Sequence, residues 1–111
     1  MTSARRGANS VVIQTDGKIV VAGATNTDIV SEAVALVRYN ADGSLDTTFD
    51  GDGQVFTTGA IADAAAIQTD GKILVGGASS DGYFAVFRYN ADGSLDNSCG
   101  NGGKSLIRHL S

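Results

Sequence analysis

The chain contains two copies of one sequence unit, and this internal repeat constrains its fold more than any other feature. The stretch from Ile13 to Ile19 reads Ile-Gln-Thr-Asp-Gly-Lys-Ile and recurs without change from Ile67 to Ile73. A longer stretch, from Arg38 to Asp46, recurs without change from Arg88 to Asp96. A period of about fifty residues is typical of repeat architectures, in which one supersecondary unit stacks on the next.

Each unit contains four segments with the composition of β-strands, separated by turn signals. The tight turns are centred on Asp-Gly pairs such as Asp16-Gly17, where glycine takes the positive φ that a hairpin turn requires. No segment has helical periodicity except the ambiguous stretch 61–66, which the repeat register makes a strand. The predicted strands are 10–14, 18–22, 34–40 and 54–58 in the first unit, and 64–68, 72–76, 84–90 and 104–107 in the second.

Four short antiparallel strands in about fifty residues match one blade of a β-propeller. We therefore expect an all-β chain of two four-stranded antiparallel blades, at residues 8–58 and 59–107, with tails at 1–7 and 108–111. The length of 111 residues leaves room for one small domain, and 42% of the residues are apolar, which is enough for a core.

The repeated motifs resemble the delta-60 repeat of bacterial β-propeller proteins. The resemblance is carried by Ile-Gln-Thr-Asp-Gly-Lys-Ile-Val-Val-Ala-Gly at 13–23, by Arg-Tyr-Asn-Ala-Asp-Gly-Ser-Leu-Asp-Thr at 38–47, and by Phe49 at the bend that follows. It implies blades similar to those of NHL-type propellers, usually in long arrays, and no established catalytic activity. This chain departs from the pattern in having two units and in having Cys99 at the second bend, where phenylalanine is expected.

Two blades bury one shared interface and leave two apolar faces and their strand edges open. Because propellers hold about 4–8 blades, we expect identical copies to cover these faces by closing a ring. Three chains with six blades are the preferred homo-oligomer, and four chains with eight blades are the second choice. The alternative is that the chain is a structural fragment of a longer propeller array.

Charge and composition exclude several classes of function. The formal net charge of −4 makes nucleic acid a poor partner and favours a cation or a cationic small molecule. A single cysteine rules out an intrachain disulfide, and no Cys/His spacing fits a zinc site. No apolar run reaches the roughly 20 residues of a membrane helix, and residues 1–7 lack signal-peptide character. We expect a soluble chain without a membrane partner. The sequence does not indicate its cellular compartment.

Residues present at the same place in both units are predicted to serve the blade itself. The aspartates of the Asp-Gly turns are expected to bond nearby backbone N–H groups. Arg38 and Arg88 are predicted to pair with Asp46 and Asp96 or with backbone carbonyls. The tyrosines that follow these arginines are predicted to pack between blades.

Polar residues that differ between the units are better candidates for binding. If the first strand lines the central channel, as in NHL-like blades, two sets of loops open on the same face of the ring. These are the loops between the second and third strands and those between the fourth strand and the next first strand. The ligand-binding candidates are Asn9, Asp28, Glu32, Asp63, Asp81 and Tyr83. Asn9 and Asp63 are expected at the channel mouth, where a circle of Asp63 carboxylates could bind a divalent cation or share a proton. A solvated acidic rim is the alternative.

A second candidate metal site is the stretch around Asp50 and Asp52, which alternate with glycines as in a calcium loop. The remaining ligands of an EF-hand are missing, so a plain turn is the alternative. The only histidine, His109, and the only cysteine, Cys99, are expected to be an exposed tail residue and a buried packing residue. No cofactor beyond a divalent cation is indicated.

The preferred function is a non-enzymatic propeller that binds a ligand or a partner through its loop face and central channel. The rival is a hydrolase whose site forms only in the assembled ring. Its metal ligands or general bases would come from Asn9, Asp28, Glu32 and Asp63. A purely structural fragment is the third interpretation.

Overall fold

The computed structural model of the protein describes residues 5–26, 33–58, 60–78, 83–100 and 103–108. In these ranges the regular elements are strands, which form two four-stranded antiparallel sheets in sequential order. Blade 1 consists of β1 (Arg5–Ile13), β2 (Ile19–Asn26), β3 (Ala33–Tyr39) and β4 (Gln54–Thr58). Blade 2 consists of β5 (Ile61–Ile67), β6 (Ile73–Ala78), β7 (Tyr83–Tyr89) and β8 (Lys104–Arg108). The predicted all-β fold of two blades is confirmed.

The strands differ from their predicted bounds mainly at the start of each blade. β1 begins at Arg5, inside the stretch 1–7 that the sequence assigns to a tail, because β2 continues to Asn26 and pairs with Arg5 there. β8 ends at Arg108, one residue inside the second predicted tail. The ambiguous stretch at 61–66 is part of β5, as the repeat register predicts.

The Asp-Gly turns close the hairpins as expected. Gly17 and Gly43 have φ of 89° and 92°. The Asp16 carboxylate accepts a hydrogen bond from the Lys18 N–H at 3.0 Å, and that of Asp42 accepts one from the Ser44 N–H at 2.9 Å. These short local bonds satisfy turn backbone that the sheet leaves unpaired.

The first strand of each blade has a β-bulge at the same place. Asn9 is the extra residue in β1, between Ala8 and Ser10, and Asp63 is the extra residue in β5. A glycine faces each bulge across the hairpin, and a Cβ on Gly23 would overlap the backbone carbonyl of residue 7. The bulge therefore aims one polar side chain out of the strand and requires glycine opposite.

The core lies between the two blades. We call the side of a blade that faces back along the chain its leading face, and the opposite side its trailing face. The buried leading face of blade 2 consists of Ile73, Val75, Ala85, Phe87 and Tyr89. The trailing face of blade 1, which packs against it, consists of Val20, Ala22, Val34, Leu36 and Phe49. Each blade thus buries one face on the other.

Candidate interaction site

A charge network repeats in each blade beside the bend before the fourth strand. Asp46 accepts a hydrogen bond from Arg38 Nε at 2.8 Å, and Lys18 Nζ lies 3.1 Å from the same carboxylate oxygen. The hydroxyl of Thr48 donates to the other oxygen at 2.6 Å. Asp96, Arg88, Lys72 and Ser98 repeat the arrangement in blade 2. The predicted Arg–Asp pairs are confirmed.

This network keeps both aspartates ionised. The Thr48 hydroxyl, Lys18 and Arg38 together hold the pKa of Asp46 well below its ordinary value, although burial opposes the shift. The Ser98 hydroxyl is the largest cause of the same lowering of the pKa of Asp96. A carboxylate so strongly held in its charged form is a poor general base near neutral pH. The hydrogen bonds and ion pairs that lower its pKa also stabilise the folded blade.

Two polar side chains of β1 join the first strands of the blades. The Asn9 side-chain amide donates to the carbonyl of Ala62 at 2.7 Å, and the Ser10 hydroxyl accepts from the N–H of Ala65 at 3.2 Å. Both partners are backbone groups of β5, which lies at the edge of its sheet. The first strands therefore converge, which is the arrangement expected if they line a central channel.

The outer part of the interface is held by different contacts. Arg38 Nη1 donates to the carbonyl of Ala91 at 2.6 Å, and the Asp50 N–H donates to the carbonyl of Asp92 at 2.7 Å. The Thr57 hydroxyl lies 2.6 Å from that of Tyr89, which is buried on the leading face of blade 2. The predicted interblade packing of the second tyrosine is thereby confirmed.

The predicted binding residues fall into separate places. Asn9 and Asp63 are exposed at the two bulges, and Tyr83 is half-buried at the start of β7. The remaining loop candidates, Asp28, Glu32 and Asp81, lie outside the described residues. Of these candidates, Asn9 also donates the hydrogen bond to Ala62 across the blade interface described above.

The candidate calcium loop lies apart from the bulges, in the bend before β4. Asp50 has a φ of 53°, and the Asp52 carboxylate accepts a hydrogen bond from the Gln54 N–H at 3.0 Å. Both side chains are exposed, as in a plain turn. Among the described residues, no group of three or more histidines, cysteines or acidic residues is placed to hold a metal ion.

Equivalent positions are buried in one blade and exposed in the other. Val34 and Leu36 on the trailing face of blade 1 are 0% exposed, whereas their counterparts Phe84 and Val86 are 57% and 43% exposed. The counterparts of the buried leading face of blade 2 are partly exposed on blade 1: Ile19, Val21, Ala35, Val37 and Tyr39. Beside them Val11 and Ile13 are 58% and 70% exposed. Blade 1 therefore presents an open apolar leading face, and blade 2 an open apolar trailing face.

The polar groups of the open trailing face are also incompletely engaged. The side chain of Arg38 is 7% exposed and lies 4.6 Å over the ring of Phe49. Its counterpart Arg88 is 27% exposed and donates to the Ser98 hydroxyl at 3.4 Å. Within the part of the chain that the structure describes, Oε1 of Gln68 is buried without a hydrogen-bond partner. Its counterpart Gln14 accepts a bond from Arg38 at 3.4 Å.

Sequence patterns do not single out Ser10, although it closes the interface with Asn9. The signal that could have found it is the loss of both residues in the second unit, where Asp63 and Ala64 stand at the same positions. Polar residues within a first strand that the other unit does not repeat are therefore the sequence signal for this contact between the blades.

Comparison with known proteins agrees with the fold. A family model described as "Domain of unknown function (DUF5122) beta-propeller" matches residues 14–49 and 68–98, one match in each blade. No curated protein and no solved structure matches the chain. Within the described ranges, no helix is long and apolar enough to cross a membrane.

Proposed function

Because the chain belongs to this β-propeller family, we propose that it is a non-catalytic interaction module that completes a propeller with further copies of itself. Its open trailing face packs on the open leading face of the next copy, and the repetition closes a ring. The central channel and the loop face of that ring form the binding surface. We further propose that its repeats are of the delta-60 type, on the motifs at 13–23 and 38–47.

The observation that carries the proposal is the correspondence between open and buried faces. The open leading face of blade 1 has the same residues as the packed leading face of blade 2 at four of its five positions. The open trailing face of blade 2 differs from the packed trailing face of blade 1 at all five positions but carries no charged or polar amide side chain there. Unlike faces that meet head to tail generate a ring when the rotation closes. Each Val, Ile or Phe side chain that becomes buried contributes about 1.5–3 kcal/mol to the contact.

Docking would also satisfy the polar groups of the trailing face. Arg88 would donate to the carbonyl of Ala41 in the next copy, as Arg38 does to Ala91. In that position its guanidinium would reach Gln68, as Arg38 reaches Gln14. A buried amide oxygen without a partner is destabilising, so the contact would remove a defect of the single chain.

Three chains with six blades are the preferred ring and four chains with eight the second, since propellers hold about 4–8 blades. A ring of two chains would require a sharp wedge between blades whose faces carry small side chains. Each chain brings a net charge of −4, so the ring would attract cations or cationic ligands to its channel. Asn9 and Asp63, exposed on the first strands, are the described candidates to contact them.

The assembly is tested with two variants that each destroy one face. Val86→Arg places a charge on the open trailing face, and Val37→Arg places one on the open leading face. Native mass spectrometry of the unchanged chain is expected to show a trimer or a tetramer, and each variant alone is expected to be a monomer. Thr69→Arg, in an exposed turn, is the matched control and should leave the ring intact.

Mixing the two variants tests the direction of the contact. The intact trailing face of Val37→Arg should bind the intact leading face of Val86→Arg, which gives a heterodimer that cannot grow. A contact between two leading faces would instead let Val86→Arg dimerise alone. A stable monomer of the unchanged chain at every concentration would overturn the proposal.

A further inference from the structure

The two blades of one chain are joined by a pair of polar contacts between their first strands. The Asn9 amide donates to the carbonyl of Ala62 at 2.7 Å, and the Ser10 hydroxyl accepts from the N–H of Ala65 at 3.2 Å. We call these two hydrogen bonds the inner clamp of a junction. Both partners on β5 are backbone groups, so the clamp depends on the two side chains that reach across from β1.

The second blade has the same backbone at this place. Asn9 and Asp63 are the extra residues of the two bulges. A Cβ on the glycine opposite, Gly23 or Gly77, would overlap the carbonyl two residues before the bulge in both blades. The two bulges therefore have the same backbone shape, and positions 9 and 63 differ in side-chain chemistry.

The side chains of the second unit cannot form the clamp. In the proposed ring, Asp63 and Ala64 of one copy take the places of residues 9 and 10, and the next copy presents the carbonyl of Ala8 and the N–H of Val11. An ionised carboxylate has no hydrogen to donate and repels a carbonyl oxygen, and Ala64 has no side-chain oxygen to accept an N–H. Both bonds of the clamp are therefore lost between copies.

The strand that would receive the next copy is accessible in the single chain. Ala62 is fully buried at the junction within the chain, whereas its counterpart Ala8 is exposed. Ala65 is half-buried, whereas its counterpart Val11 is exposed. The backbone at these two positions of β1 can therefore be reached by a second copy.

A polar contact at the outer part of the junction is lost in the same way. Within the chain, the hydroxyl oxygens of Thr57 and Tyr89 lie 2.6 Å apart. The corresponding residues between copies are Ile107 and Tyr39, and isoleucine has no hydroxyl. The contact between copies thus has apolar faces like those within the chain but fewer hydrogen bonds.

We propose that Asp63 and Ala64 make the contact between copies weaker than the contact inside the chain, so that the ring opens between chains while the two blades of each chain stay joined. This inference rests on the proposed assembly and identifies residues that set its affinity. One hydrogen bond of this kind changes an equilibrium constant by about twofold to tenfold. The missing clamp therefore lowers the affinity without preventing the apolar faces from packing.

The heterodimer of the two face variants isolates the contact between copies. The Val37→Arg chain supplies Asp63, and the Val86→Arg chain supplies the receiving strand. Asp63→Asn in the first chain copies Asn9 and is expected to lower the Kd about fivefold. Adding Ala64→Ser, which copies the hydroxyl of the first unit, should lower the Kd about a further threefold. Isothermal titration calorimetry measures both changes.

Two controls separate the clamp from a general effect of charge. Asp63→Ala in the Val37→Arg chain removes the carboxylate without supplying a donor, so it should lower the Kd by no more than about twofold. Asp63→Asn placed in the Val86→Arg chain lies beside a face that no longer binds and should leave the Kd unchanged. A fivefold gain from either control would overturn the inference.

The outcomes separate this inference from the assembly on which it rests. If no heterodimer forms, the head-to-tail assembly itself is wrong. If the heterodimer forms and Asp63→Asn leaves the Kd unchanged, the assembly stands and the missing clamp does not set its affinity. If EDTA and Asp63→Asn both raise the Kd, a divalent cation bound by Asp63 strengthens the contact, and the inference is overturned.

Discussion

The hydroxyl oxygens of Thr57 and Tyr89 lie 2.6 Å apart across the interface between the two blades. Thr57 belongs to the last strand of blade 1, and Tyr89 ends the third strand of blade 2. The repeat does not preserve this contact, because the counterpart of Thr57 is Ile107. The second unit therefore has no hydroxyl at the position of Thr57, and the bond offers a direct measure of how firmly the two blades of one chain are joined.

Removal of the tyrosine hydroxyl should loosen the blade interface. Tyr89→Phe is expected to lower the free energy of unfolding by about 1 kcal/mol, the usual net contribution of one buried hydrogen bond. Urea denaturation followed by circular dichroism measures the change. Tyr39→Phe, on the open face of blade 1, is the matched control and should have a smaller effect; an equal effect would mean that the interface bond contributes nothing.

The same tyrosine predicts a loss of stability in alkali. Burial raises the pKa of Tyr89 to about 12, although the bond to Thr57 opposes the shift. In the unfolded chain the phenol titrates near its ordinary value of about 10. The contribution of the neutral, buried Tyr89 to the stability of the fold is therefore complete below about pH 10 and is lost as the pH rises toward 12. Melting temperatures between pH 9 and pH 12 should fall more steeply for the unchanged chain than for Tyr89→Phe.

The glycine opposite the second bulge should not tolerate a side chain. A Cβ on Gly77 would overlap the carbonyl oxygen of Ile61, whereas a Cβ on Gly76 would meet no atom within 4 Å. We expect Gly77→Ala to lower the free energy of unfolding by about 2–4 kcal/mol, since the backbone must shift. Gly76→Ala, one residue away, should be nearly neutral. Equal effects in denaturant titrations would contradict the close approach at the bulge.

The two charge networks should respond differently to the same substitution. Asp46→Asn leaves the buried Arg38 without its carboxylate and is expected to lower the free energy of unfolding by about 3–5 kcal/mol. Asp96→Asn should be milder, because the side chain of Arg88 is 27% exposed and remains in contact with water. Thermal unfolding of the two variants measures the difference, and a larger loss for Asp96→Asn would contradict the burial of Arg38.

Acid should act through the same carboxylates. The pKa of Asp46 is lowered in the fold, first by the Thr48 hydroxyl and then by Lys18 and Arg38. In the unfolded chain the pKa of aspartate is about 3.9. The contribution of ionised Asp46 to the stability of the fold is therefore complete above that pH and is lost as the pH falls below it. The melting temperature of the unchanged chain should decline below about pH 4, and that of Asp46→Asn should decline less.

The fold could be predicted because the repeat supplies its own alignment. The Asp-Gly pairs at Asp16 and Asp42 mark the turns in both units, and the register assigns the ambiguous stretch 61–66 to a strand. The bulges could not be predicted, because an extra residue such as Asn9 leaves the apolar pattern on either side nearly unchanged. Nor could the start of β1 at Arg5, since this polar end of the strand depends on pairing with Asn26.

The candidate site was less predictable than the fold, because the strands are apolar on both sides. Ile19, Val20 and Val21 are consecutive, so their sequence does not tell which faces a neighbour within the chain. Only the packed structure shows that Val20 is covered by blade 2 while Ile19 and Val21 face outward. The polar contact of Asn9 with Ala62 likewise depends on a bulge that aims the side chain across the interface.

In the assembly that we propose, the two blades of each chain make the number of blades in the ring even. Since every copy contributes its two sheets together, a circle built only from this polypeptide grows in steps of two. A ring of five or seven blades could not form from whole copies of this chain in that assembly. A rotational symmetry measured by electron microscopy would therefore count subunits, and twice that count would give the number of sheets around the axis.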